Sequence, residues 1–369
     1  MIETQVVEIR GLQPKEPVNP TILDDAGIKK LTAADFDRDN PPAVIAADER
    51  MYKALGMLPA HASLHDLYLQ LLGSQVAGLY NPADKHLYVV ARSGGIGPAE
   101  KVTFAHEFTH ALQDQNFDLG SLKLDEIGHG DQSLARLALV EGDATLTMSQ
   151  WQSQHLTAAE NTQILSESAN DPSVGQLLAM PAILRESLLF PYFQGLGFVE
   201  GFQGSGGWAA VNGVFSKPPA STEQVMHPAK YAAGEAPIGV TLPADLPARL
   251  GTGWSSALVD TFGEFQLGVW LRQNTAIGAG GAADAAAGWG GDRIAVLQGP
   301  SGAWGVVLRT AWDTAADAQQ FEAAATPIVA GLNNPGHVVP GAGGTERWVV
   351  LASDDAALTK LAGALGLAG

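Results

Sequence analysis

Apolar residues along the chain recur with two spacings, and the changes between them mark the elements. Val6-Val7-Glu8-Ile9 reads as a short β-type run, followed by a Pro-rich stretch from Gly11 to Pro20. Helical spacing follows from about Asp24 to Asp37 and from Val44 to Leu55, where Gly56 and Pro59 end the pattern. Leu79 to Val90 sets aromatic and β-branched residues on both sides of Asn81-Pro82-Ala83-Asp84, which predicts two strands joined by a turn. A Gly-rich loop, Ser93 to Gly97, leads into Pro98, a residue suited to a first helical turn. Helices are therefore expected from Pro98 to about Gln115 and from Ser133 to about Gln154. Further helical segments are expected over 158–168, where Thr157 and Glu160 have capping-box spacing, and over 181–193, with shorter ones over 208–215 and 221–226. The Gly-rich groups at 204–207 and 288–291 read as turns.

Pro, Gly and Ala dominate Gly234 to Gly253, which reads as a linker or long surface connection. Beyond it, Ser255 to Gln273 has helical character, and Gly278 to Gly291 is a second Gly/Ala-rich passage. Strands at 293–297, 305–309 and 347–352 alternate with helices at 314–325 and 355–365. That run predicts a small sandwich of helices on an antiparallel or mixed sheet. The fold class expected is α+β, in four parts: an N-terminal α/β segment (1–60), a mostly helical domain with a small sheet (61–233), a linker (234–254) and a small C-terminal α/β module (255–369). No cluster of catalytic residue types falls in the last part.

Composition narrows the function. The chain of 369 residues has 21 Lys plus Arg against 39 Asp plus Glu, a formal charge of −18, which argues against a nucleic-acid partner. An apolar fraction of 46% with 16% charged residues is ample for a buried core. The longest apolar stretch, Leu177 to Phe193, is interrupted by Pro181, Arg185, Glu186 and Pro191, so no membrane span is expected. With no cysteine, disulfides, thiol nucleophiles and thiolate metal sites are excluded, and any metal must be held by His, Asp or Glu. Met1 to Gln5 lacks the basic and apolar regions of a signal peptide.

The chemistry centres on His106-Glu107-Phe108-Thr109-His110, an HExxH sequence within a predicted helix. Histidines at i and i+4 project from one helical face, so both imidazoles can reach one Zn²⁺ at ~2.0–2.1 Å, with Glu107 beside them as a base for water. The flanking Phe104, Ala105, Phe108, Ala111 and Leu112 suit an embedded helix rather than a solvated one. A hydrolytic zinc site has three protein ligands and an open position. A metzincin third histidine would require Gly at 113 and His at 116, where this chain has Gln113 and Asn116. The remaining candidates are Asp125, Glu126, His129, Asp131, Glu141 and Asp143. Of these, Glu141 lies in an apolar stripe with Leu134, Leu137, Ala138, Thr145 and Met148. An ionised carboxylate in such a place calls for a compensating partner, either a metal or an arginine such as Arg136 or Arg185.

His106 to His110, taken with Val140-Glu141-Gly142-Asp143-Ala144, resembles the gluzincin group of zinc metallopeptidases, whose ligands are the two HExxH histidines and a glutamate on a later helix. The resemblance covers roughly residues 75 to 155. Glu141 follows His110 by 31 residues, longer than in thermolysin-like enzymes, and Thr145 stands where those enzymes carry an aspartate, so the kinship is with the gluzincin core. It implies a zincin-like catalytic domain over 61–233, with His106, His110 and Glu141 binding Zn²⁺. It also implies that Glu107 takes a proton from the attacking water and passes it to the leaving amine of a peptide or protein substrate. The strand before the zinc helix often pairs with extended substrate in such folds, and Lys85 to Val90 is the candidate. Free peptidases are commonly exported, so the expected location is extracytoplasmic or secreted.

A donor for the developing oxyanion is also expected, and the later segment Ser221 to Tyr231 offers His227 and Tyr231, or else is a short helix capped by Ser221 and Gln224. Asp114 could hydrogen-bond a ligand imidazole. Two other functional classes compete with a peptidase: a zinc-binding scaffold without turnover, and a metal-dependent amidase or esterase.

Overall fold

A computed structural model describes residues 1–90 and 96–367; most of the Gly-rich approach to Pro98 lies outside the described residues. The first part of the chain runs α1 (Ile2–Arg10), β1 (Pro20–Leu23), α2 (Asp25–Asp39), α3 (Pro42–Ala54), α4 (Leu64–Gln75), β2 (Gly78–Asn81), β3 (His86–Val90), α5 (Pro98–Phe117) and α6 (Gly130–His155). Next come α7 (Ala158–Ala169), α8 (Pro172–Ala179), α9 (Ala182–Ser216), α10 (Thr222–Met226), α11 (Pro228–Ala233) and α12 (Leu246–Leu250). The last part is β4 (Ser255–Asp260), α13 (Gly263–Leu271), α14 (Gly278–Ala286), β5 (Trp289–Gln298), β6 (Trp304–Trp312), α15 (Ala315–Ala330), β7 (Gly336–Pro340), β8 (Glu346–Ala352) and α16 (Asp355–Leu365). The class is α+β, with helices packed on two separate sheets.

The run at Val6 is helical, not the strand its valines and isoleucine suggest. As a helix, α1 brings Ile2, Val6 and Arg10 onto one face against α5 and α6, with Val6 and Arg10 fully buried, and Gly11 closes it in the left-handed conformation. Burial of that face outweighs local β propensity. The expected strand pair is present, Leu79 lying opposite Tyr88 in β2 and β3. The tail of the Pro-rich stretch adds β1, parallel to β3, with Thr21 also opposite Tyr88. β3 is therefore the central strand, and both its edges are taken. Lys85 to Val90 has no edge to offer a substrate; the free edge nearest α5 belongs to β2.

The two helices expected over 181–193 and 208–215 are one element, α9, bent where Gly206 and Gly207 leave helical geometry, with Gly207 at φ 64°. α9 crosses α6 at backbone contact. A Cβ on Gly142 would lie 2.2 Å from the Gly195 carbonyl oxygen, and one on Gly195 would lie 2.0 Å from that of Ala138.

The second sheet is antiparallel throughout, in the order β4-β5-β6-β8-β7. Ser255 to Gln273 is not one helix. Its first six residues form edge strand β4, because Leu258 packs into the core beside β5, and α13 starts only at Gly263 (φ +79°). Alternate strand residues face opposite ways: Ile294, Val296, Leu308 and Leu351 join a core with α3, α13 and α15, while Leu297, Val307 and Val350 join one with α12 and α16. Within 234–254, Leu246 and Leu250 are buried in that second core. The first 60 residues are divided between the two sheets, α1 lying on α5 and α6 and α3 on β4 and β5.

Buried acids join the N-terminus of α6 to the second sheet. Asp131 accepts from the Thr222 hydroxyl at 2.5 Å, and Asp292 accepts the N–H groups of Phe262 and Gly263 at 2.7 Å each. Burial pushes the Asp131 carboxyl up to about 8 and that of Asp292 to about 6. These groups hold protons in the folded chain that the unfolded chain releases near pH ~4. The folded state thus binds more protons between about pH 4 and pH 8, and stability falls as pH rises through that window. Thermal unfolding followed by circular dichroism is expected to give a higher midpoint at about pH 5.5 than at pH 8; the opposite order would mean the buried carboxyls are ionised in the fold.

Candidate metal centre

α5 begins at Pro98, with the Glu100 carboxylate accepting the Gly97 N–H at 2.9 Å, and its middle turns are buried on all sides. Ala105, Phe108, Ala111 and Leu112 pack with the first sheet and α1, which leaves His106 and His110 facing α6. The two rings stand edge to face, 87° apart with centroids 4.6 Å apart. Glu141 meets them from α6.

His106 Nε2 lies 3.0 Å from His110 Nε2 and 3.1 Å from Glu141 Oε2, and His110 Nε2 lies 3.5 Å from that same oxygen. A tetrahedral ion with bonds of ~2.0 Å separates its ligands by ~3.3 Å, so three edges of that length are already laid out. Two imidazole nitrogens and a carboxylate oxygen are also the donor set of His₂Glu zinc hydrolases. Without a cation the trio is electrostatically coupled. Burial opposes charge on both partners, yet their mutual attraction outweighs it: His110 is raised to about 9 and the Glu141 carboxyl is held well below the usual carboxylate range. A divalent cation would satisfy all three lone pairs together.

Glu107 sits beside the trio, 8% exposed, and its Oε2 accepts the Tyr80 N–H at 2.8 Å from the edge of β2. Burial raises its carboxyl above the ordinary range. Gly78 permits this approach, because a Cβ there would come within 2.9 Å of Glu107 Cγ and 2.6 Å of Thr103 Cγ2. From the other side, α9 presents Tyr192. Its ring lies 6.1 Å from that of His106, and the negative charge of Glu141 lifts its phenol well above the ordinary value.

The structure thus brings together His106, Glu107, His110 and Glu141. His227 and Tyr231 have other partners: His227 Nε2 lies 2.9 Å from Glu264 Oε1, and the Tyr231 hydroxyl donates to the Lys217 carbonyl at 2.7 Å. Asp114 accepts from the Tyr80 hydroxyl and the Leu119 N–H, and it is Gln113 whose Oε1 lies 2.9 Å from His110 Nδ1. Neither arginine weighed as a partner for Glu141 reaches it, since Arg136 bonds the Leu122 carbonyl and Arg185 those of Leu178 and Met180. Asp131 and Asp143 are committed to Thr222 and Arg10. A second acidic trio, Glu223, Glu235 and Asp313, holds the Lys230 ammonium at 2.6–2.7 Å, so its cation is a side chain. Sequence reasoning missed Tyr192 and Gln113. Gln113 has a signal, a polar residue on the buried face three positions after His110; Tyr192 has none, because only the α6–α9 crossing carries it to Glu141.

Elemental analysis of the purified chain is expected to find one zinc per chain. Glu141→Ala should weaken zinc binding by more than the ~10–100-fold that loss of an outer partner costs. Equal zinc in both forms would remove Glu141 from the ligand set.

Residues 252–363 match the model of a domain of unknown function (DUF8575), a span that begins just before β4 and ends within α16 and contains none of the four centre residues. No curated protein matches the chain, and no solved structure matches it.

Proposed function

We propose that this chain is a zinc-dependent metallopeptidase with a zincin-like catalytic region built on α5, α6 and the first sheet. The observation that carries the reading is the near-tetrahedral spacing of His106 Nε2, His110 Nε2 and Glu141 Oε2 with a buried glutamate alongside. When bound, zinc supplies Lewis acidity, polarising a carbonyl and making water acidic enough to lose a proton near pH ~7.

The residues of the chain divide the remaining work. Glu107, anchored at Oε2 by the Tyr80 N–H, has Oε1 to take the proton of the attacking water and return it to the leaving amine. Its raised carboxyl pKa suits both halves of that transfer. Tyr192, whose ring lies 6.1 Å from that of His106, is the donor assigned here to the oxyanion that forms as the carbonyl is attacked, in place of His227 and Tyr231. β2 is an edge strand whose Tyr80 N–H bonds Glu107, so an extended peptide meeting the rest of that edge would come up to the base in a fixed register. A peptide substrate follows from that edge more naturally than a small ester does.

Digestion of a peptide library, read as new amino termini, tests the reading. Glu107→Gln is expected to keep its zinc and lose about 10²–10⁴-fold in hydrolysis, whereas full activity in that variant would refute its role as the base. Tyr192→Phe should lower kcat by about 10²–10³-fold with zinc content unchanged; an unchanged kcat would leave the oxyanion donor elsewhere.

A further inference from the structure

We infer that Arg10, Asp143 and Gln113 form a hydrogen-bond relay that fixes the ring orientation and tautomer of His110, which makes the N-terminal helix α1 a working part of the metal centre. The inference rests on the reading of His106, His110 and Glu141 as ligands and concerns how one of them is held.

Arg10 Nε donates to Asp143 Oδ1 at 2.6 Å. The Gln113 amide nitrogen donates to Asp143 Oδ2 at 2.8 Å and to the Val140 carbonyl at 2.9 Å. Gln113 Oε1 then faces His110 Nδ1 at 2.9 Å. Arg10, Gln113 and Asp143 are each 0% exposed, so no solvent can substitute for a missing partner.

The direction of the relay is forced. An amide nitrogen has two protons, and both are spent on acceptors, a carboxylate and a backbone carbonyl. Turning the amide over would set its oxygen against those two acceptors, so Oε1 must face His110. An amide oxygen can only accept, so Nδ1 must carry a ring proton, and Nε2 is the nitrogen left to offer its lone pair to a cation held with His106 and Glu141. That is the form a zinc ligand requires.

Arg10 makes the arrangement permanent. A guanidinium keeps its charge in proteins, and paired with Asp143 it keeps that side chain an acceptor at both oxygens. Its own position is set by aromatic contact, with its central carbon 4.5 Å from the Trp208 ring centroid and 6.0 Å from that of Phe117. Its terminal nitrogens have no acceptor among the described residues, so Nε to Asp143 is its polar commitment. Because Val140 precedes Glu141, the same amide also ties α5 to α6 beside the third ligand.

The test is zinc affinity of the full chain by chelator competition, with circular dichroism and thermal midpoint of the metal-free forms and the visible spectrum of the Co²⁺ forms as independent readouts. Gln113→Met keeps the side-chain length and removes the acceptor. It is expected to bind zinc about 10–100-fold more weakly, with an altered Co²⁺ spectrum and an unchanged metal-free circular dichroism spectrum. Arg10→Met combined with Asp143→Leu removes both buried charges without stranding either, and is expected to weaken zinc by about tenfold. Wild-type zinc binding with undiminished affinity in Gln113→Met overturns the relay. Weakening in Gln113→Met alone overturns the part played by α1. A wild-type chain that takes up no zinc overturns the ligand reading itself, an outcome distinct from both.

Discussion

Three lone-pair donors from two helices converge within hydrogen-bond distance of one another in the interior, and the surrounding structure serves to keep them there. Bringing three such groups out of water carries a desolvation cost, which a proton shared with Glu141 offsets in part and a cation lying among them would offset further. The cost is borne because α5 and α6 are held independently of the centre. Phe108, Leu112 and their neighbours seat α5 on the first sheet, and the glycine crossing at Gly142 and Gly195 locks α6 to α9. A side chain at either glycine would move α9, and with it Tyr192, away from Glu141.

The same logic extends to both ends of the chain. Arg10 comes in with α1 and satisfies Asp143, a carboxylate two residues past Glu141. Asp131, near the start of α6, accepts from Thr222 and lies so close to Gly263 that no side chain fits there, which couples the register of α6 to the second sheet. The helix carrying Glu141 is thus fixed at its N-terminal end by the C-terminal part and at its middle by the N-terminal helix. A region that matches a domain of unknown function consequently braces the helix carrying Glu141 without contributing any of the four centre residues, much as a scaffold positions a site carried elsewhere.

Much of the centre was legible in the sequence because its chemistry is local. His106, Glu107 and His110 lie within about one helical turn, where the 3.6-residue period alone puts the two imidazoles on one face. Glu141 was legible as a carboxylate in an apolar stripe, since a charge in that position needs a partner whatever the fold. The strands at 293–297, 305–309 and 347–352 were legible as apolar runs, and their burial on both faces explains why they lack alternation. Val6 to Ile9 and Ser255 to Gln273 were misleading, because short apolar runs of four to six residues fit either period and their burial partners decide between them.

The sequence by itself determined which donor groups are present, the absence of thiolates and the helices that carry His106, His110 and Glu141, all consequences of residue type and spacing within one element. Only the tertiary structure decided that β2 rather than β3 has the edge beside Glu107, that Tyr192 rather than His227 or Tyr231 stands at Glu141, and that Gln113, Asp143 and Arg10 back His110. Each of these depends on which elements lie side by side, and that is set by the close approach of backbones at Gly78, Gly142 and Gly195 together with the burial of α1. Spacing along a chain encodes what one helix can present; what meets it from another helix is settled by packing.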